Sequence, residues 1–116
     1  MGKPKKGGYP PAQPIPHYIE IIDGKINPSA ETIMWGDFVA WTNKDAVSYT
    51  LVLFKNGEQT EGPWATVNPN STSASMVFNW KPILGKDPVV FEYGLLPPGE
   101  TKATITATIT AQISRF

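Results

Sequence analysis

Near the C-terminus, Ala103, Ile105, Ala107, Ile109, Ala111 and Ile113 alternate without a break with Thr104, Thr106, Thr108, Thr110, Gln112 and Ser114. Successive side chains of a β-strand point to opposite faces, so this period of two gives one apolar face and one hydroxyl-bearing face. The apolar face must pack on a core, and no stretch of the chain offers a competing helical period. Unbroken, residues 103–116 extend about 46 Å at roughly 3.3 Å per residue. That exceeds the usual strand of a small domain, so a bend, a bulge or a protrusion toward a partner is expected. An unpaired edge on such a strand accepts a strand from a second copy or from another protein. Thr104, Thr106, Thr108 and Thr110 are therefore candidate association residues. The alternative is a strand that bends near Ala107–Thr110, serves two sheets and leaves the protein monomeric.

The rest of the chain reads as short β-runs separated by turns. Tyr18–Ile22 is a strand closed by Asp23-Gly24, and Tyr49–Lys55 is one closed by Asn56-Gly57, both strong hairpin pairs. Ile26–Pro28 with Glu31–Met34 reads as one second strand ending at Gly36-Asp37. In Phe38–Thr42, Phe38, Ala40 and Thr42 share one face while Val39 and Trp41 share the other. Glu58–Ser73 reads as loop, Ala74–Trp80 as a strand, Pro82–Pro88 as a connection, Val89–Tyr93 as a strand and Leu95–Gly99 as a sharp turn. The expected architecture is all-β, a Greek-key two-sheet β-sandwich spanning residues 17–116. Residues 1–16, with five prolines and three glycines, read as a flexible leader or a polyproline-type ligand.

Composition narrows the function classes. Ten basic residues balance ten acidic ones, which gives no electrostatic footprint for nucleic acid. Lys3, Lys5 and Lys6 read as a solvated tail. No apolar run is long enough to span a bilayer. The basic N-terminus lacks the apolar segment of an intact secretory signal, which leaves an exported origin with the signal removed open. There is no cysteine, so disulfides, thiolate metal sites and cysteine nucleophiles are excluded. His17, the single histidine, reads as a surface or domain-edge residue. No phosphate loop, nucleophile elbow or paired histidine motif is present. No catalytic residue and no cofactor are expected. Trp41, in phase with Val39, reads as core; Trp35, Trp64 and Trp80 fall beside turns and loops. Such tryptophans cap the open end of a sandwich or, with Tyr49, line a ligand or partner surface.

Ile26-Asn27-Pro28, Ile33, Gly36-Asp37, Val39, Trp41-Thr42-Asn43, Asp45 and Thr50 resemble the N-terminal half of plastocyanin- and azurin-type cupredoxins. Leu96-Pro97-Pro98-Gly99-Glu100-Thr101 is similar to a Pro-Gly-Glu turn of the same family. The resemblance implies a copper held by two histidines, a cysteine thiolate and an axial methionine. It places the first histidine where this chain has Tyr49, and the cysteine and second histidine in a C-terminal loop that here contains neither. The resemblance therefore implies the fold and withholds the electron transfer. The expected function is that of a non-enzymatic, metal-free cupredoxin-like interaction or assembly module. Two alternatives stand beside it: a small-ligand or carbohydrate-binding domain using loop aromatics, and a degenerate relative of copper proteins with no retained activity.

Overall fold

Asp23-Gly24 and Asn56-Gly57 both take positive φ at each residue (53° and 72°, 54° and 80°), the backbone that a two-residue hairpin turn requires and that Asp, Asn and Gly tolerate. They close the hairpins β1–β2 (Pro16–Ile22 and Lys25–Asn27) and β5–β6 (Tyr49–Lys55 and Glu58–Gln59). In this computed structural model, residues 14–78 and 88–112 are described. The other strands are β3 (Ala30–Met34), β4 (Phe38–Asn43), β7 (Ala65–Val67), β8 (Ser71–Thr72), β9 (Met76–Val77), β10 (Val89–Leu96) and β11 (Ile105–Gln112). No helix is long and apolar enough to cross a membrane among the described residues.

Two mixed sheets form. A five-stranded sheet runs β2-β1-β4-β8 with β9 also on β4; a six-stranded sheet runs β3-β11-β10-β5-β6 with β7 also on β5. The parallel pairs are β1 with β4 and β3 with β11. Register sets the faces: Ile19 opposes Trp41 and Ile21 opposes Asn43, while Tyr93 opposes both Ala107 and Leu53. Between the sheets, Ile19, Ile21, Val39 and Trp41 meet Ile33, Leu51, Tyr93, Leu95 and Ile109, all buried. Each fully buried aliphatic side chain contributes about 1.5–3 kcal/mol.

The expected phase of Phe38–Thr42 holds, with Val39 and Trp41 inward. Other expectations need correction. The single strand read over Ile26–Met34 is two, because the chain leaves one sheet at Asn27 and joins the other at Ala30. The Glu58–Ser73 loop contains β6, β7 and β8, each too short to show a period. Strand β10 runs on to Leu96, past Tyr93. Of Ala74–Trp80, only Met76-Val77 is strand among the described residues. Trp80, the Pro82–Pro88 connection up to Asp87, Ile113, Ser114 and most of the leader lie outside the described residues. Strand β1 begins at Pro16, the last residue assigned to that leader.

The C-terminal strand is shorter than its pattern. It starts at Ile105, so Thr104 lies outside it. Ahead of it the chain folds back over the outer face of β10, where Gln59 accepts from Ala103 N–H (2.9 Å) and donates to the Thr101 carbonyl (3.0 Å). Gly94 forms the seat: a Cβ there would meet Ala103 Cβ at 2.5 Å and Phe54 Cε1 at 2.8 Å. Phe54 can turn aside, but Ala103 Cβ is fixed to backbone. Gly94→Ala should therefore lift the 101–103 strap and cost about 1–3 kcal/mol, the range for overpacking. Chemical denaturation measures it; an unchanged midpoint would show that the strap yields freely.

Candidate functional site

Loop 44–48 and the turn at Asp23-Gly24 meet at one end of the sandwich. Asn43 fixes the loop from below. It is fully buried, its amide donates to the carbonyls of Val47 (2.7 Å), Asn68 (3.1 Å) and Val67 (3.3 Å), and its Oδ1 accepts from Asp45 N–H (2.9 Å). Asp45 is thereby aimed at the turn. Its Oδ1 accepts from Asp23 N–H (2.8 Å), and its Oδ2 accepts from Gly24 N–H (2.9 Å) and from the Tyr49 hydroxyl (2.8 Å). The Gly24 N–H, then the Tyr49 hydroxyl, hold the Asp45 carboxyl below its usual range against a smaller opposing effect of burial, with the Asp23 N–H adding to them. Burial, then the bond to Asp45, then the charges of Asp45 and Asp23, push the Tyr49 phenol up to about 12.

A phenol raised in this way favours folding below its unfolded value near 10, and the benefit is lost as pH rises toward 12. Tyr49→Phe should remove this share of the alkaline dependence and leave that of Tyr93, whose phenol is also raised to about 12. It should also cost about 1 kcal/mol at neutral pH, because Asp45 keeps its two backbone donors. Denaturation at neutral and alkaline pH compares the two; an identical alkaline profile would place the dependence elsewhere.

These residues do not fit a cupredoxin copper. A neutral phenol that already donates to a carboxylate is a poor ligand, and the chain has no cysteine to supply the thiolate. The 97–104 connection between β10 and β11 offers neither cysteine nor histidine; it makes a turn in which Glu100 N–H donates to Pro97 O (3.1 Å), with Gly99 at φ 82°. His17 sits at the other end of β1 from Asp23, about 20 Å away by strand rise. No group of three or more potential metal ligands occurs among the described residues.

No protein-family model and no curated protein matches the sequence. Solved structures do match. Amicyanin from Paracoccus versutus superposes with a TM-score of 0.57 at 14% identity, covering 88% of this chain and 84% of that one. A purple cupredoxin from Nitrosopumilus maritimus gives 0.58 at 18% identity, covering 83% of this chain and 99% of that one. A Cu(I) amicyanin variant gives 0.59 at 13% identity over 84% and 82%. The fold is cupredoxin-like. At these identities the likeness concerns the scaffold, and this cupredoxin-like chain lacks the copper ligands.

The cupredoxin-like frame does not gather the three candidate aromatics on one open surface. Tyr49 is buried. Trp64, half-buried, turns inward onto Trp41 (ring centroids 5.4 Å), Tyr93 (5.4 Å) and Phe78 (6.1 Å). Trp35, also half-buried, lies edge-on to Phe91 (6.2 Å), which meets Phe78 (5.3 Å). The rings thus form a continuous row from Trp35 through Phe91, Phe78 and Trp64 to Trp41 and Tyr93. Trp35, just past the end of β3, packs against the buried cluster.

The threonine face also lies differently. Strand β11 is interior to its sheet, with β10 on one side along 105–111 and β3 on the other along 108–112. Thr108 and Thr110 therefore have no free backbone edge, and Thr106 pairs with Gly94. A parallel β3, not foreseen from the sequence, covers this strand along 108–112 and leaves 105–107 without a β3 partner on that side.

Sequence reasoning also missed what surrounds His17. Its Nδ1 lies 2.8 Å from Glu31 Oε2 and its Nε2 lies 2.9 Å from Asp37 Oδ2. The signal was available: His17 is in phase with Ile19 and Ile21 and so points inward, where an imidazole needs partners.

Proposed function

We propose that this protein is a non-enzymatic, metal-free cupredoxin-like sandwich acting through its surface as an interaction or assembly module. The observation that carries this reading is the commitment of Tyr49 to Asp45, at the position where the sequence resemblance puts the first copper histidine, on a cupredoxin-like scaffold. Exposed apolar side chains on the outer face of the five-stranded sheet, Tyr18, Ile22 and Val77, add support. The small-ligand or carbohydrate reading has less behind it, because Tyr49 is buried and Trp64 is spent on the core.

Light scattering over a wide concentration range tests the proposal, paired with tryptophan fluorescence during titration with a sugar panel. A mass that rises above one chain with concentration supports assembly. A persistent monomer with saturable quenching by a sugar would replace it with the ligand-binding reading. A monomer silent to every sugar would favour a degenerate scaffold with no retained activity.

A further inference from the structure

His17 bridges the two sheets. It lies on β1 of the five-stranded sheet and contacts Glu31 on β3 of the other sheet and Asp37 in the β3–β4 turn. Two ring nitrogens hydrogen-bond two carboxylates only when both carry hydrogen; a neutral imidazole has one N–H and one lone pair. With a neutral ring, one carboxylate faces that lone pair. The two carboxylates are not equivalent. The Asp37 side chain is 5% exposed and also accepts from Ile15 N–H (3.0 Å) and Met34 N–H (3.1 Å). The Glu31 side chain is 25% exposed and has no second hydrogen bond among the described residues. Water can solvate Glu31 on release, whereas an unpaired Asp37 stays away from water.

We propose that Glu31–His17–Asp37 is a proton-operated clasp between the sheets. The doubly protonated ring ties β1 to β3 and to the turn. When Nδ1 gives its proton to water, Glu31 is freed while Nε2–H remains on Asp37. The order follows from burial, since the hydrogen is kept where the carboxylate has less access to solvent. A cavity of about 150 Å³ beside the clasp, lined by His17, Thr32, Ile33, Met34, Asp37 and Gln112, gives water a way in. Glu31 faces the ring from β3 and Asp37 from the turn; β11 presents the neutral Gln112, and among the described residues no lysine or arginine lines this cavity. On β1 itself, Glu20 is one position out of phase with His17 and Ile19 and points away.

Ring-nitrogen and backbone-amide NMR on the full chain tests the clasp between about pH 5 and pH 8, where histidine side chains as a class change charge. The expected result is a ring protonated on both nitrogens at the acid end and on Nε2 alone at the alkaline end. The amide signals of β1 and β3 should move with that change. In E31Q the side-chain amide can accept from Nδ1–H or donate to a bare Nδ1, so the β3 response should shrink severalfold while the ring change persists. A neutral ring carrying its hydrogen on Nδ1 would overturn the proposal. So would an unaltered ring state across the range, or β3 amides that move equally in wild type and E31Q.

Discussion

Trp41→Ala should destabilise the protein by about 3–5 kcal/mol, the range for deleting a large core aromatic. Trp41 is fully buried, and its ring meets Trp64 at 5.4 Å and Tyr93 at 5.6 Å. Its indole N–H donates to the Tyr93 hydroxyl at 3.2 Å. Burial, and less strongly the charge of Glu31, push that phenol up to about 12, with the indole bond opposing, so it remains neutral and available as the acceptor. Truncation opens a cavity and removes this buried partner together. Trp64→Ala should cost less, since its ring is only half-buried. Trp35→Ala should cost least, because its ring meets Phe91 alone among the described ring contacts. Denaturant titration of the three variants gives the order; equal, small losses at all three would contradict the strand phase of Phe38–Asn43.

Asp37→Ala should cost about 3 kcal/mol at neutral pH, given roughly 1.5–3 kcal/mol for a hydrogen bond to a charged group and partial water rescue of the donors. The buried carboxylate holds the start of β1 through Ile15 N–H, the end of β3 through Met34 N–H, and His17. Burial alone raises the tendency of Asp37 to hold a proton. The His17 hydrogen bond, the two backbone donors and the His17 charge together outweigh it, and the carboxyl stays below its usual value. A carboxylate lowered by folding stabilises the native state above its unfolded pKa, and that stabilisation is lost as pH falls through the folded value. Asp37→Asn should therefore lose stability at neutral pH and approach the wild type in acid. A deficit that stays constant with pH would show that the lost contacts are steric and independent of charge.

Legibility in the sequence followed the length of each periodic signal. Ala107–Gln112 and Val39–Trp41 alternate long enough to fix both strand and face, and Asp23-Gly24 and Asn56-Gly57 specify their turns through backbone chemistry. Strands β6, β8 and β9 have two residues each, which is too few for any period. Their existence depends on pairing with β4 or β5 after the chain has folded. The interior place of β11 was hidden for a similar reason, since the pairing of β3 with β11 joins residues about eighty apart in sequence. Tyr49 stood out as a departure from the copper pattern. The Asn43–Asp45–Asp23 network that occupies its hydroxyl did not, because a polar residue at the end of β4 and two in turns carry no pattern until those segments meet. His17 was legible in phase and was misread for want of a partner, since Glu31 and Asp37 are brought to it by two other elements.

Copper(II) titration followed by residue-resolved paramagnetic broadening in NMR separates a sandwich end closed by Tyr49 and Asp45 from one that holds a metal. The expected result is weak broadening confined to the surroundings of His17 or to scattered surface carboxylates, with Tyr49, Asp45 and the 97–104 turn unaffected and no intense visible absorption. Stoichiometric binding that broadens Tyr49 together with residues 97–104 would contradict it, by showing that this end of the sandwich still holds a metal.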